Sequence, residues 1–264
     1  MRRLRVLSVF GTRPEAIKMA PVVRALAEAP EVEGLVCVTA QHRSMLDQVM
    51  HLFELHADWD LDVMLPGQDL ATLTSRVILG VDRVLQESRP DVLLVHGDTT
   101  TTLAAALAAF YLHIPVGHVE AGLRTGDLAA PFPEEANRVL ADRLCRFHFA
   151  PTPLARERLL AEGTPHAWIH VTGNTVIDAL LDIRSRLDQH PPSGWRDAFG
   201  SAFFLFEHGD AQVLLVTGHR RESFGQGFEN ICAALRDIAL ARPELHVVYP
   251  VHLNPNVQGP VQAV

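Results

Sequence analysis

Leu4-Arg5-Val6-Leu7-Ser8-Val9-Phe10-Gly11-Thr12-Arg13-Pro14-Glu15-Ala16-Ile17-Lys18-Met19-Ala20-Pro21 is the stretch that decides the fold class. Residues 4–10 are a short apolar run of the buried-strand kind, and Gly11 permits a tight exit. Pro14 suits the first helical position, and Glu15 stands in the first turn, where the helix dipole favours an anion. Strand, turn and helix in that order predict a helix N-terminus that follows a parallel strand, a ready seat for phosphate. Arg13 and Lys18 add two cations to that seat. Lys18 is the single lysine among 23 basic residues, and its compact ammonium is not equivalent to the rigid arginine fork. Neither GxxxxGK[ST] nor GxGxxG occurs, so the peptide itself points to an anion at the first strand–helix turn and to nothing narrower.

The same rhythm continues outward. Strand-like runs at 35–39, 61–65, 91–95, 115–119, 147–150 and 168–172 alternate with amphipathic stretches that predict helices to about Ala29, around 45–53, and over 70–88, 99–112, 134–145 and 153–162. Such alternation predicts an α/β fold, a parallel sheet with helices on both faces and ligands at the carboxyl ends of the strands. A second unit is expected from residue 174, with a helix at 175–188, a loop at 190–194, strands at 212–217 and 246–250 and a helix at 227–241. The domains are thus placed at 1–173 and 174–264.

Composition narrows the function classes. The 264 residues carry a net charge of −8, with 48% hydrophobic and 20% charged content. That balance argues against a general nucleic-acid or membrane surface, so an anionic ligand needs locally gathered cations. Cys37, Cys145 and Cys232 are far apart in apolar runs, the pattern of buried free thiols in a reducing compartment. No stretch approaches 18 apolar residues without charges. A cytoplasmic protein is expected.

Three groups of carboxylates fall where such a sheet gathers its ligand. Asp98 follows the strand in His96-Gly97-Asp98-Thr99, and Glu120 follows the next in His118-Val119-Glu120-Ala121-Gly122-Leu123-Arg124. Glu134 and Glu135 open a helix in Pro131-Phe132-Pro133-Glu134-Glu135-Ala136-Asn137-Arg138. Clustered carboxylates suit proton transfer at carbon, because like neighbours raise some pKa values toward neutrality. The structural alternatives are a helix cap at Asp98, an ion-pair partner at Glu120 and dipole complements at Glu134 and Glu135. His219, in Gly218-His219-Arg220-Arg221-Glu222, is suited to neutralise or protonate a leaving phosphate, or else belongs to a solvated basic turn. Asp58-Trp59-Asp60-Leu61-Asp62 superficially resembles a metal-binding DxD, but opening a strand would put it at the wrong end of the sheet. No metal is implied by histidine spacing.

These peptides, together with Gln41-His42-Arg43, Gly173-Asn174-Thr175 and Pro250-Val251-His252-Leu253-Asn254-Pro255, resemble the non-hydrolysing UDP-N-acetylglucosamine 2-epimerase family, in the family's order and from end to end. The resemblance implies a GT-B-like pair of Rossmann-like domains, a homodimer, no cofactor, and interconversion of UDP-N-acetylglucosamine and UDP-N-acetylmannosamine for cell-surface polysaccharide biosynthesis. By position it implies a catalytic set of Asp98, Glu120, Glu134 and His219, with Arg13, Lys18 and His219 on the substrate. It also implies a possible second, activating site at Gln41, His42, Gln68 and His252; Ser44 and Gly67 depart from the longer polar side chains of relatives that have it. The route implied is elimination of UDP to 2-acetamidoglucal and re-addition. A GT-B glycosyltransferase, a hydrolysing epimerase and a non-catalytic nucleotide-sugar binder are the competing classes.

Relatives continue with a glycine-rich, Gln-Glu-Glu-containing segment, for which nothing similar follows Pro255. The 91 residues after Gly173 fall short of the roughly 100–150 of a typical domain. The second domain is therefore expected to be incomplete, and the 264-residue chain inactive alone.

Overall fold

The computed structural model describes residues 2–41, 43–65, 67–189, 194–207, 211–218, 225–251 and 255–263. Seven parallel strands form one sheet: β1 (Leu4–Phe10), β2 (Val32–Val38), β3 (Trp59–Asp60), β4 (Val92–His96), β5 (Val116–Val119), β6 (Phe147–Ala150) and β7 (Ile169–Val171). Their order is β3-β2-β1-β4-β5-β6-β7. Helices α1 (Arg13–Glu28), α2 (Arg43–Leu52), α3 (Leu70–Ser88), α4 (Thr100–Tyr111), α5 (Glu134–Leu144), α6 (Pro153–Ala161) and α7 (Thr175–Gln189) connect and follow them. The chain winds outward in one direction to β3, then returns to begin again at β4. The switch point therefore lies between β1 and β4, where open sheets of this kind bind ligands beyond the carboxyl ends of their strands.

Period-two alternation sets the two faces. In β1, Leu7 and Val9 pack with Val77, Val81, Ala105 and Ala108 of α3 and α4. Val6 and Phe10 turn the other way, toward Met19, Ala20 and Leu46 of α1 and α2. Both sides of the strand are buried, which is why the run reads as continuously apolar. Five buried alanines on α4 (104, 105, 106, 108 and 109) present no long side chain to its neighbours, so α4 lies close against the sheet.

The short β3 departs from the expected strand at 61–65. Leu61 N–H still donates to Val38 O at 2.9 Å and Val63 N–H to Thr39 O at 3.0 Å. Between them Asp62 takes φ of 42°, a left-handed turn that ends the extended run.

The chain divides into two compact units, Met1–Gln189 and His190–Val264. Helix α7 packs with the first: Ala179 is buried in the α1–α2 face, and Arg24 on α1 bonds Asp182 at 2.7 Å. The division thus falls one helix later than the sequence-derived boundary at 173/174. In the second unit, α8 (Trp195–Phe199) and α9 (Phe204–Glu207) precede β8 (Gln212–Leu215), α10 (Gln226–Ala241), β9 (Leu245–Val248) and α11 (Pro255–Gln262). β8 and β9 pair in parallel, from Gln212 opposite Leu245 to Leu215 opposite Val248. Phe228, Cys232 and Val257 form the centre of that unit. All three cysteines of the chain are buried and free. Among the described residues no helix is long and apolar enough to cross a membrane.

Candidate active site

The turn after β1 is shaped by contact more than by backbone freedom. A Cβ on Gly11 would lie 1.9 Å from Thr39 Oγ1 and 2.8 Å from Thr101 Oγ1, and those two hydroxyls are bonded to each other at 2.8 Å. Only glycine lets the turn pass over them. Glu15 then folds back into the protein. Its Oε2 accepts Gly11 N–H at 3.1 Å and Thr12 N–H at 2.7 Å, while Oε1 accepts the Thr99 hydroxyl at 2.8 Å. Burial raises its pKa against these donors. Glu15 is thus an internal fastener between the start of α1 and the start of α4. This corrects the expected phosphate seat in one respect: two of its amides are already taken by the chain's own carboxylate. Arg13 is exposed at the first position of α1.

Lys18, one turn further along α1, reaches the end of β5. Its Nζ donates to both oxygens of Glu120 at 2.6 Å. Asn174, just before α7, donates from Nδ2 to Glu120 Oε2 at 2.8 Å and receives Val176 N–H on Oδ1 at 3.0 Å. Glu120 itself has φ of 68°, with its N–H and that of Ala121 both on Phe149 O at 3.1 and 3.2 Å. A non-glycine residue in the left-handed region costs roughly 1–2 kcal/mol, and such strain is characteristically kept at functional positions. The alternative reading of Glu120 as an ion-pair partner holds for its contacts.

Asp98 ends β4 beyond Gly97. It does not cap α4; Thr99 does, accepting Thr102 N–H. Arg138 of α5 lies 3.1 Å from Asp98 Oδ2, and Asn137 Nδ2 donates to Asp98 O at 2.9 Å. Burial raises the Asp98 pKa first; Arg138 opposes it, and the charges of Glu134 and Glu120 add to it. The three carboxylates therefore share one electrostatic neighbourhood. Glu134 Oε2 is buried without a hydrogen-bond partner among the described residues. Glu135 Oε1 accepts Thr125 and Gly126 N–H at 2.9 and 3.0 Å, while its Oε2 lies 3.2 Å from Arg138 Nε, so Glu135 shares that guanidinium with Asp98. His96, at the end of β4, is 3% exposed, and its Nε2 is 3.9 Å from Glu120 Oε2. Burial, then Lys18 and His118, push its pKa down to about 3, and neither ring nitrogen has a hydrogen-bond partner among the described residues.

Asp98, Glu120 and Glu134 thus share one neighbourhood, and Lys18, expected beside Arg13 at the first strand–helix turn, joins them through Glu120 instead. Arg138, Asn137, Asn174 and His96 join them; each stood inside a quoted motif, but spacing alone gave no sign of which neighbour it would meet. Gln41 and Gln68 both carry a buried polar atom, Oε1 and Nε2, with no partner among the described residues. His42, His219 and His252 lie outside the described residues. The acidic run has structural work: Asp58 Oδ2 accepts Val36 N–H at 2.8 Å, and Asp60 and Asp62 hold Arg43. It also sits at the carboxyl end of the sheet, since β3 pairs with Cys37 and Val38 at the end of β2, not at the opposite end as its place in the sequence suggested.

A profile of the UDP-N-acetylglucosamine 2-epimerase family matches residues 24–264. A UDP-N-acetylglucosamine 2-epimerase of Yersinia pestis is 59% identical over 261 residues, 99% of this chain and 69% of that protein. Its counterpart in Escherichia coli K12 is 58% identical over the same shares. The crystal structure of the Neisseria meningitidis enzyme bound to UDP-GlcNAc superposes with a TM-score of 0.88 at 50% identity, covering 98% of this chain and 69% of that one. The match extends across both units and carries the α/β, GT-B-like architecture with it. The chain belongs to the UDP-N-acetylglucosamine 2-epimerase family.

Proposed function

We propose that this protein interconverts UDP-N-acetylglucosamine and UDP-N-acetylmannosamine, without hydrolysis, by eliminating UDP to 2-acetamidoglucal and adding it back. The observation that supports this reading best is the gathering of carboxylates from β4, β5 and α5: Arg138 of α5 lies 3.1 Å from Asp98 Oδ2, and the charges of Glu134 and Glu120 both raise the Asp98 pKa. The C2 proton of a 2-acetamido sugar is not acidic, so direct abstraction is prohibitive. Expelling UDP from C1 builds positive character in the ring and makes C2–H removal feasible. Protonation from the opposite face then requires a second acid/base group, and a pKa raised by burial, as at Asp98, suits that exchange. Asp98, Glu120 and Glu134 are assigned to proton transfer, and Arg13, Lys18 and His219 to the diphosphate, where cations stabilise the leaving group. The unpartnered Gln41 and Gln68 atoms fit a second, substrate-binding site completed by His42 and His252. The reading includes a homodimer in the cytoplasm, consistent with three buried free thiols.

Incubation with UDP-N-acetylglucosamine alone in D2O tests it, on this chain and in parallel on a chain carrying a relative's C-terminal segment. The expected product is UDP-N-acetylmannosamine carrying deuterium at C2. Free N-acetylmannosamine with accumulating UDP would indicate a hydrolysing enzyme. An absolute need for an acceptor would indicate a transferase, and product without deuterium would rule out exchange of the C2 proton.

A further inference from the structure

His118, in the middle of the sheet, has 0% exposure and two acceptors. Its Nδ1 lies 2.6 Å from Asp142 Oδ1 and its Nε2 2.7 Å from the Gly97 carbonyl. A carbonyl oxygen only accepts, so Nε2 carries a proton; an ionised carboxylate only accepts, so Nδ1 carries one as well. The ring is an imidazolium. Burial opposes that charge, but Asp142's charge and hydrogen bond, with the Gly97 carbonyl, outweigh it and raise the His118 pKa. Asp142 is held at about 2 despite burial, by His118 and Arg124. Arg124 in turn bonds Asp142 Oδ2 at 2.7 Å and Glu162 at 2.8 and 2.9 Å. His118 and Arg124 are thus met by Asp142 and Glu162, with the half-exposed Arg143 3.8 Å from Glu162 Oε2 as a third cation. The other titratable groups facing this centre are His96 from β4, His148 from β6, whose Nε2 bonds Asp142 O at 2.9 Å, and the buried Cys145 thiol at the end of α5, on which the Asp142 charge acts.

What this group holds matters more than its charge. Gly97, with φ of +69°, is pinned at both ends: its carbonyl by His118, and its N–H by Val119 O at 3.0 Å. Asp98 follows directly. The second oxygen of Asp142 accepts Gly122 N–H at 3.2 Å, and Gly122, at φ of +84°, closes the turn that begins with the left-handed Glu120. Asp142 also lies on α5 one turn beyond Arg138 and two beyond Glu134, at the four- and eight-residue spacings that share a helix face. A single buried carboxylate thus references the backbone of two reacting carboxylates and the helix of the third.

We infer that His118, clamped by Asp142, is a positioning residue that aims the Asp98 and Glu120 carboxylates at the sugar. The inference rests on the epimerase reading above. Misplacement of a reacting group by about 1 Å costs on the order of 10²-fold in rate, so loosening this clamp acts on turnover more than on substrate affinity.

Two measurements test it. In the full-length protein labelled with ¹⁵N-histidine, long-range ¹H–¹⁵N spectra should show both His118 nitrogens protonated at pH 7. The signal is assigned by its loss in His118→Gln, and a neutral tautomer there would overturn the proposal. His118→Gln and Asp142→Asn should lower kcat per folded enzyme about 10- to 100-fold, leave KM for UDP-N-acetylglucosamine within about threefold, and displace the acid limb of the kcat–pH profile. Thermal destabilisation with an unchanged kcat and pH profile would reduce His118 to a structural role and overturn the proposal. If neither variant folds, Arg124→Lys, which loosens Asp142 Oδ2 without touching the His118 ring, takes their place, and an unchanged kcat and pH profile there overturns the proposal. A wild type inactive both as this chain and when joined to a relative's C-terminal segment refutes the epimerase reading; an active wild type with undiminished variants refutes the positioning role alone.

Discussion

Two ionic groups lie side by side at the carboxyl end of this sheet, and they are built in opposite ways. Around Asp142 both carboxylate oxygens have a donor, from His118, Arg124 or Gly122, the side chain is only 1% exposed, and only the neighbouring His148 leaves a buried ring nitrogen, Nδ1, without a hydrogen-bond partner among the described residues. Around Asp98, Glu120 and Glu134 the pairing is partial: Glu134 Oε2 and both nitrogens of His96 have no hydrogen-bond partner among the described residues. A saturated buried network is rigid and poorly reactive, because each proton already has a fixed place. An under-paired one retains capacity for an incoming molecule, and leaving buried polar atoms unpaired is costly unless something uses them. The first group reads as framework and the second as the reacting face it supports.

The most demanding test of that division is to remove ionisation from the reacting face alone. Asp98→Asn, Glu120→Gln and Glu134→Gln keep shape while abolishing an acid/base function, a loss of roughly 10²–10⁴ in rate. UDP binding, measured by calorimetry, should weaken much less, because cations carry the diphosphate. If all three amides turn over within a few-fold of wild type, the under-paired group is not the reacting one.

Much of the framework was legible in the sequence, and the reasons are local. Residues 70–88 predict a helix, and α3 spans Leu70–Ser88, because its apolar spacing runs unbroken between Asp69 as cap and Arg89 in the left-handed conformation. The carboxylates Asp98 and Glu120 were legible because each directly follows an apolar strand, and the topology of parallel sheets gathers such positions. What was not legible depended on neighbours distant in sequence. Glu15 looks like a dipole complement at a helix start; its bond to Thr99, 84 residues away, makes it a fastener. Gly11 reads as a flexible turn residue, yet Thr39 and Thr101 exclude any side chain there. His118 and Asp142 stand 24 residues apart with no spacing rule joining them, so only the fold reveals the clamp.

The two groups also differ in their response to acid. His96 is buried neutral, with its pKa pushed down to about 3, so the unfolded chain binds a proton there below about 6.5 that the native protein refuses. Stability from this residue falls as the pH drops from about 6.5 to about 3, with a slope of at most about 1.4 kcal/mol per pH unit. Asp142, held at about 2, adds loss only below about 4, where the unfolded carboxylate takes up its proton first. His118, whose pKa is raised, acts in the other direction: its contribution is complete below about 6.5 and is lost as pH rises through its folded value. Urea midpoints measured from pH 3 to 9 should therefore decline on both sides of a maximum near neutrality. His96→Gln should flatten the segment between pH 4 and 6.5, and Asp142→Asn the segment below 4. An unaltered acid slope in His96→Gln would show that the imidazole takes up its proton in the native protein as readily as in the unfolded chain, so that its unpaired nitrogens are not sealed from water.

The mildest perturbation separates charge from geometry within the reacting face. Lys18 Nζ is equidistant, at 2.6 Å, from both oxygens of Glu120, a geometry open to a compact ammonium that sits astride a carboxylate. Two of its three N–H groups are used there, and among the described residues no other hydrogen bond takes the third. An arginine at this position keeps the charge but carries a longer stem and a planar fork, so satisfying Glu120 face to face moves the guanidinium outward and spends its donors in one plane. Lys18→Arg should therefore lower kcat/KM by about tenfold, near 1.4 kcal/mol, with overall stability little changed. Lys18→Met, which leaves Glu120 with Asn174 as its remaining hydrogen-bond donor, should lose considerably more. The comparison of the two variants is what matters. Equal losses would mean that the ammonium serves through geometry alone, whereas a silent Lys18→Arg beside a damaging Lys18→Met would mean that any cation suffices. In that second case the reacting face would tolerate the looseness that the Asp142 network does not, and Lys18 would be reassigned from a shaped contact to a counter-ion.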